Sequence, residues 1–138
     1  MNAPGCLLDT GPLVALFDRN DHHHSKAKKL LSAASPPYQT CEAVLSEACF
    51  LLSRAAPNVA DQILALGEEG FYEIAYRLDG DYSAVQRLMK KYRTRPISLA
   101  DACLIRCAEL KDEPRIFTFD SDFEIYRWGR NKKFSILQ

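Results

Sequence analysis

The sequence predicts an α/β fold: a mostly parallel central sheet held between layers of helices. Two observations carry that reading. Short apolar runs alternate with longer stretches of helical periodicity. Turn and capping residues punctuate the boundaries, as at Thr10-Gly11-Pro12, Ser98 and Asp120.

The first run, Cys6–Asp9, reads as a buried strand. Thr10-Gly11-Pro12 then turns the chain into a helix over Pro12–Phe17, with Pro12 near its first position. A second helix over about Asp21–Ala34 takes Asp21 as its N-cap, and Tyr38–Thr40 is a short strand. Helices over Cys41–Ala55 and about Pro57–Glu69 follow. In the first of these, Val44, Ala48, Leu51 and Leu52 share an apolar face, while Glu42, Ser46 and Ser53 share the wet one. Phe71–Ala75 is a strand. The helix Asp81–Tyr92 has an apolar stripe of Tyr82, Val85, Met89 and Tyr92, which leaves Arg87, Lys90 and Lys91 outward. The chain closes with a helix over Ser98–Lys111, a strand Arg115–Phe119, a short helix Ser121–Trp128 and a strand Phe134–Leu137. Right-handed crossovers would bring the C-terminal strand ends to one edge of the sheet. The length and the absence of a linker or repeat point to a single domain over residues 1–138.

No apolar run is long enough to span a membrane, and no basic segment leads into a long apolar stretch at the start. Five cysteines, an odd number without zinc-finger spacing, read as buried reduced thiols. Together these point to a cytoplasmic protein. Eighteen basic residues balance eighteen acidic ones, so net charge alone names no partner.

Four acids sit where chemistry would need them. Asp9 follows the first apolar strand, where parallel sheets place their ligands, and it is costly to bury without opposite charge. It could also be a turn residue bonded to the backbone of Thr10-Gly11. Glu47 lies on the shoulder of an apolar helix face; alternatively it is a boundary glutamate paired with a base such as Arg54. Asp101 stands on the apolar stripe of Leu104, Ile105 and Ala108, but it also completes a capping box with Ser98. Asp120 repeats the device of Asp9, an acid just after a strand, and can equally cap the next helix, with Asp122 in its first turn. Carboxylates gathered at one sheet edge would repel and hold their protons unless cations neutralise them. Oxygen-only ligands favour Mg²⁺ or Mn²⁺, and carboxylates holding such ions are a recurring means of hydrolysing phosphodiesters with activated water.

The residues resemble the PIN-domain ribonucleases, and within them the VapC-type toxins of toxin–antitoxin pairs. The resemblance rests on Leu7-Leu8-Asp9-Thr10-Gly11-Pro12-Leu13-Val14-Ala15-Leu16, Thr40-Cys41-Glu42-Ala43-Val44-Leu45-Ser46-Glu47-Ala48, Ile97-Ser98-Leu99-Ala100-Asp101-Ala102 and Ile116-Phe117-Thr118-Phe119-Asp120-Ser121-Asp122-Phe123. Their order and spacing cover nearly the whole chain. The resemblance implies a PIN-like α/β/α fold and a Mg²⁺- or Mn²⁺-dependent endoribonuclease with one or two ions. It carries the acidic pocket onto Asp9, Glu47, Asp101 and Asp120, with Asp122 as helper. It also implies an RNA substrate, a cognate antitoxin and a homodimer. The alternative is a non-catalytic PIN-like module that binds RNA or protein. Haloacid-dehalogenase phosphohydrolases also place an Asp after their first strand, but want a second two residues on, where this chain has Gly11.

Setting those five acids aside leaves 18 bases against 13 acids, a mildly basic remainder. Thr10, Lys90, Lys91, Arg93 and Arg95 are the candidate substrate contacts, with Arg127, Arg130, Lys132 and Lys133 as a second basic cluster. His22-His23-His24 cannot all reach one metal from a helix; they read as helix-start packing or as contacts at the pocket rim. Leu13, Leu16 and Phe17 would line a groove for an antitoxin helix.

Overall fold

A computed structural model describes residues 4–55 and 57–138; positions 1–3 and 56 of the expected 1–138 domain lie outside the described residues. The elements run β1 (Leu7–Leu8), α1 (Thr10–Phe17), α2 (His24–Ala33), β2 (Tyr38–Thr40), α3 (Glu42–Leu52), α4 (Val59–Glu68), β3 (Tyr72–Ile74), α5 (Tyr82–Lys91), α6 (Leu99–Lys111), β4 (Arg115–Phe117), β5 (Arg127–Trp128), β6 (Lys132–Lys133) and β7 (Ser135–Leu137). Five strands form one sheet in the order β3-β2-β1-β4-β7, and every pairing in it is parallel.

β1 lies at the centre because Leu7 and Leu8 are wholly buried on both faces. It pairs Leu7 with Gln39 on one side and with Ile116 on the other. The chain leaves β1 towards β2, whereas β4 joins from the opposite side. The C-terminal ends of β1 and β4 therefore flank a topological switch point, the usual place for a crevice in such sheets. Asp9 N–H continues the ladder to Phe117 O at 3.0 Å, which carries β1 to the very edge of that crevice.

Helix α6 is buried almost all round: Ala100 to Ile105, Cys107 and Ala108 are all buried. It packs against α5, α3 and the β5 strand, while α1 packs against α2 and α3. All five cysteines are free, and four are buried. Among the described residues no helix is long and apolar enough to cross a membrane.

Several expectations need correction. The helix expected over Ser121–Trp128 stops after one 3₁₀ turn at Ser121–Glu124. Arg127–Trp128 instead pairs antiparallel with Lys132–Lys133, through a tight turn in which Gly129 and Asn131 take φ of 57° and 59°. The first helix begins at Thr10, which puts Pro12 third, still in the turn whose N–H groups have no partner within the helix. Asp21 caps an Asx turn through the His23 N–H at 2.8 Å, and α2 starts three residues later. Leu51 and Tyr82 are 55% and 56% exposed, not part of the buried faces assigned to them. Leu13 is fully buried and unavailable to a partner, while Leu16 and Phe17 are half-buried.

One packing contact sets competing effects against each other. A Cβ added at Gly67 in α4 would meet the Tyr72 ring and hydroxyl at 3.0–3.1 Å. Tyr72 is buried, and its hydroxyl donates to Ile63 O at 2.8 Å, so the ring cannot withdraw. Gly67→Ala gains up to about 1 kcal/mol of helix propensity but incurs overpacking of about 1–3 kcal/mol. The variant is expected to unfold at lower urea than the parent; a raised midpoint would refute this packing account.

Candidate active site

Asp9, Thr10, Glu47, Asp101, Asp120 and Asp122 all line one cleft of about 490 Å³, open at the C-terminal edge of the sheet. Gly11, Asp21, His23, Leu51, Ser98 and Phe119 complete much of its wall. Every acid singled out in the sequence therefore faces the same space, although they come from four separate stretches of chain.

Asp9 is 5% exposed and sits between two strand ends. One carboxylate oxygen accepts the Thr10 N–H at 2.8 Å and the other accepts the Thr118 hydroxyl at 2.6 Å. Burial is the main reason its pKa rises to about 6. The charges of Asp120 and Glu47 push in the same direction, against the two hydrogen bonds. Asp101, 8% exposed in the first turn of α6, is held by the Tyr126 hydroxyl at 3.0 Å. Its own N–H donates to Ser98 Oγ at 3.0 Å, so the expected cap forms and leaves the carboxylate free to face the cleft. Burial first, and Asp9 next, raise its pKa to about 7.

Asp120 does cap the 3₁₀ turn, accepting the Asp122 N–H at 2.9 Å. Asp122 pairs with Arg95 at 2.9 Å, so one substrate candidate is engaged by one of the acids. Glu47 forms no ion pair with Arg54 and turns to the cleft. Lys90, Lys91 and Arg93 do not line the cleft. Lys91 lies over the Tyr92 ring at 5.3 Å, and Lys90 and Arg93 are exposed. In the second basic cluster Arg127 donates to three carbonyls, and Lys132 lies over the Trp128 ring at 4.7 Å. The histidines divide: His24 Nδ1 donates to Ala15 O at 2.7 Å as helix-start packing, whereas His23 stands on the cleft wall.

Thr118 and Tyr126 were missed in the sequence. Thr118 could have been suspected as a polar residue between two apolar strand residues; Tyr126 gave no signal, because its approach to Asp101 depends on the turn at 121–124.

The donor set suits a hard cation: all oxygen, with four or five negative charges available. Thr10 Oγ1 is buried on the cleft wall with no hydrogen-bond partner, an orphaned oxygen that a ligand in the cleft would satisfy. Among the described residues, however, no three His, Cys, Asp or Glu side chains close into a preformed cage. Mutual repulsion spreads such carboxylates until a cation draws them in.

An α/β domain with an acid-lined crevice at its sheet switch point is the class of protein that this geometry defines. The PIN domain model matches residues 6–129, and the chain belongs to that family. Among solved structures the fold is similar to VapC20 of Mycobacterium tuberculosis, described as a toxin that cleaves the sarcin–ricin loop. The TM-score is 0.73 and the identity 23%, over 89% of this chain and 94% of that one. Comparison with curated proteins finds no match.

Both aspartates hold their protons to higher pH when folded than the ordinary value of 3.8. Between about pH 4 and 7 the native chain thus binds more protons than the unfolded one, and stability falls as pH rises through that window. The loss is on the order of a few kcal/mol. The metal-free protein is expected to melt at lower temperature at pH 8 than at pH 5, with Asp101→Asn flattening the difference; an equal slope in that variant would contradict the assignment. Thr118→Val removes the donor to Asp9 and the acceptor of the Asp120 N–H at 2.9 Å. It should cost about 1–3 kcal/mol in chemical denaturation.

Proposed function

We propose that this chain is a divalent-metal-dependent endoribonuclease, the toxin of a VapBC-like toxin–antitoxin pair, acting as a single cytoplasmic domain. The observation that carries the reading is the cleft itself. Six acids line it, Asp21 and the five singled out in the sequence, and the two deepest, Asp9 and Asp101, are pushed up to about 6 and 7. Such carboxylates are expensive to ionise unless a cation shares the site.

Asp9, Glu47, Asp101 and Asp120 are the residues to hold one or two Mg²⁺ or Mn²⁺ ions, with Asp122 as a helper. When bound, the metal supplies Lewis-acid and water-activating chemistry for in-line attack on a phosphodiester, leaving 5′-phosphate and 3′-hydroxyl ends. The chain supplies orientation. Thr118 and the Thr10 N–H fix both oxygens of Asp9, and Tyr126 fixes Asp101. Arg95 holds Asp122 at the mouth, where it can exchange that partner for a phosphate. Lys90, Lys91 and Arg93, at and just beyond the end of α5, extend this basic approach for RNA backbone.

The crevice of about 230 Å³ lined by Leu16, Lys28, Leu31, Ser32, Leu66 and Phe71 has room for an apolar side chain projecting from an antitoxin helix laid over it. A homodimer belongs to the same reading. The second reading is a non-catalytic RNA- or protein-binding module. It would use the same cleft without a cation, and among the described residues no three His, Cys, Asp or Glu side chains stand ready as a cage.

Incubating the purified chain with RNA, with and without Mg²⁺ or Mn²⁺, separates the two. Cleavage should require metal, and Asp9→Asn or Asp101→Asn should lower it on the order of a hundredfold or more. Cleavage that persists in EDTA, or full activity in both variants, would refute the nuclease reading.

A further inference from the structure

The cleft has one wall that the metal chemistry does not use. His23 stacks on Phe119, with ring centroids 4.1 Å apart and planes 16° from parallel, and both line the cleft beside the acids. Phe119 meets the buried Phe117 edge-on at 5.5 Å, and the exposed His22 meets His23 at 4.9 Å. The four rings form an aromatic ladder from the core to the rim.

The ladder is anchored at both elements. Phe119 sits between Thr118, which bonds Asp9, and Asp120, whose N–H bonds Thr118. Its ring also lies in van der Waals contact with the space beside Gly11, 3.7 Å from where a Cβ would stand. The N–H of His23 is fixed by Asp21, another residue of the cleft wall. A flat group added to this ladder would share the cleft with Asp120, the chain neighbour of Phe119, and with Asp21, which holds the His23 N–H. Among the described residues the His23 ring makes no hydrogen bond or ion pair, only its two ring contacts.

We infer that the His23–Phe119 stack is a nucleobase subsite, which seats the base of a nucleotide adjoining the scissile phosphate. The inference rests on the nuclease reading and adds to it the residues that grip the substrate. Aromatic side chains stack any base through its π-face, so the subsite requires an unstacked base and demands little of its identity. A paired base, already stacked within a duplex, cannot enter.

The test uses an RNA oligonucleotide with 2-aminopurine beside the cleavage position, against the full-length protein, His23→Ala and His23→Phe. Stacking quenches the probe, which gives a readout independent of turnover. In His23→Ala, binding should weaken by about fivefold or more and quenching should be lost. KM should rise in step, with kcat little changed. His23→Phe, which keeps the flat ring and removes the imidazole nitrogens, should restore both. Unchanged binding and quenching in His23→Ala would overturn the subsite. So would equal loss in His23→Phe, since a hydrogen bond and not stacking would then be at work. Wild-type protein that neither binds nor cleaves RNA removes the nuclease reading and the subsite together, whereas a wild type that cleaves normally beside an unaffected His23→Ala removes the subsite alone.

Discussion

One hydroxyl group organises this site. Thr118 Oγ1 donates to Asp9 across the β1–β4 boundary and accepts the N–H of Asp120. It thereby fixes the distance between two acids that would otherwise repel. The sheet must place β1 and β4 side by side for that bond to exist, and the wholly buried Leu7, Leu8 and Ile116 secure that pairing. Asp101 reaches the same space on α6, whose nearly complete burial leaves it little freedom to shift. The electrostatic cost of the cleft is thus borne by an unusually well-fixed piece of the fold.

Much of the element order and the parallel sheet was legible because β1, β4 and β7 carry short apolar runs beside turns or caps, and α6 announced itself by Ser98 and Asp101. The strand ends were set too far out. The strand ends at Phe117; Thr118 adds one last backbone bond to Leu137 O and turns its hydroxyl to Asp9. The hairpin at β5 and β6 was hidden because Ser121-Asp122 is a good helix start, and only the left-handed Gly129 and Asn131 reveal that the chain reverses. Of the site, the acids could be read as residue types after strands and at helix starts. Their positioning partners could not. Tyr126 and Arg95 are placed by the path of loops, which no local periodicity encodes.

Leu51 shows the same limit from the other direction. Its place on the helical wheel beside Val44 and Ala48 suggested core, yet the neighbouring helices leave that sector of α3 open, and Leu51 borders the cleft with Glu47. An apolar neighbour lowers the local dielectric around the acids and strengthens whatever charge interactions form there.

The edge strand β7 reaches this chemistry without touching it. Leu137 O accepts the Thr118 N–H, and Ile136 and Leu137 pair with Ile116 and Phe117. The backbone that presents Thr118 is therefore braced by β7. A break in β7 would act at a distance, loosening the hydroxyl that spaces two acids while leaving every acid in place. Strand β7 is in this sense a tuning peg for the acid that ends β1.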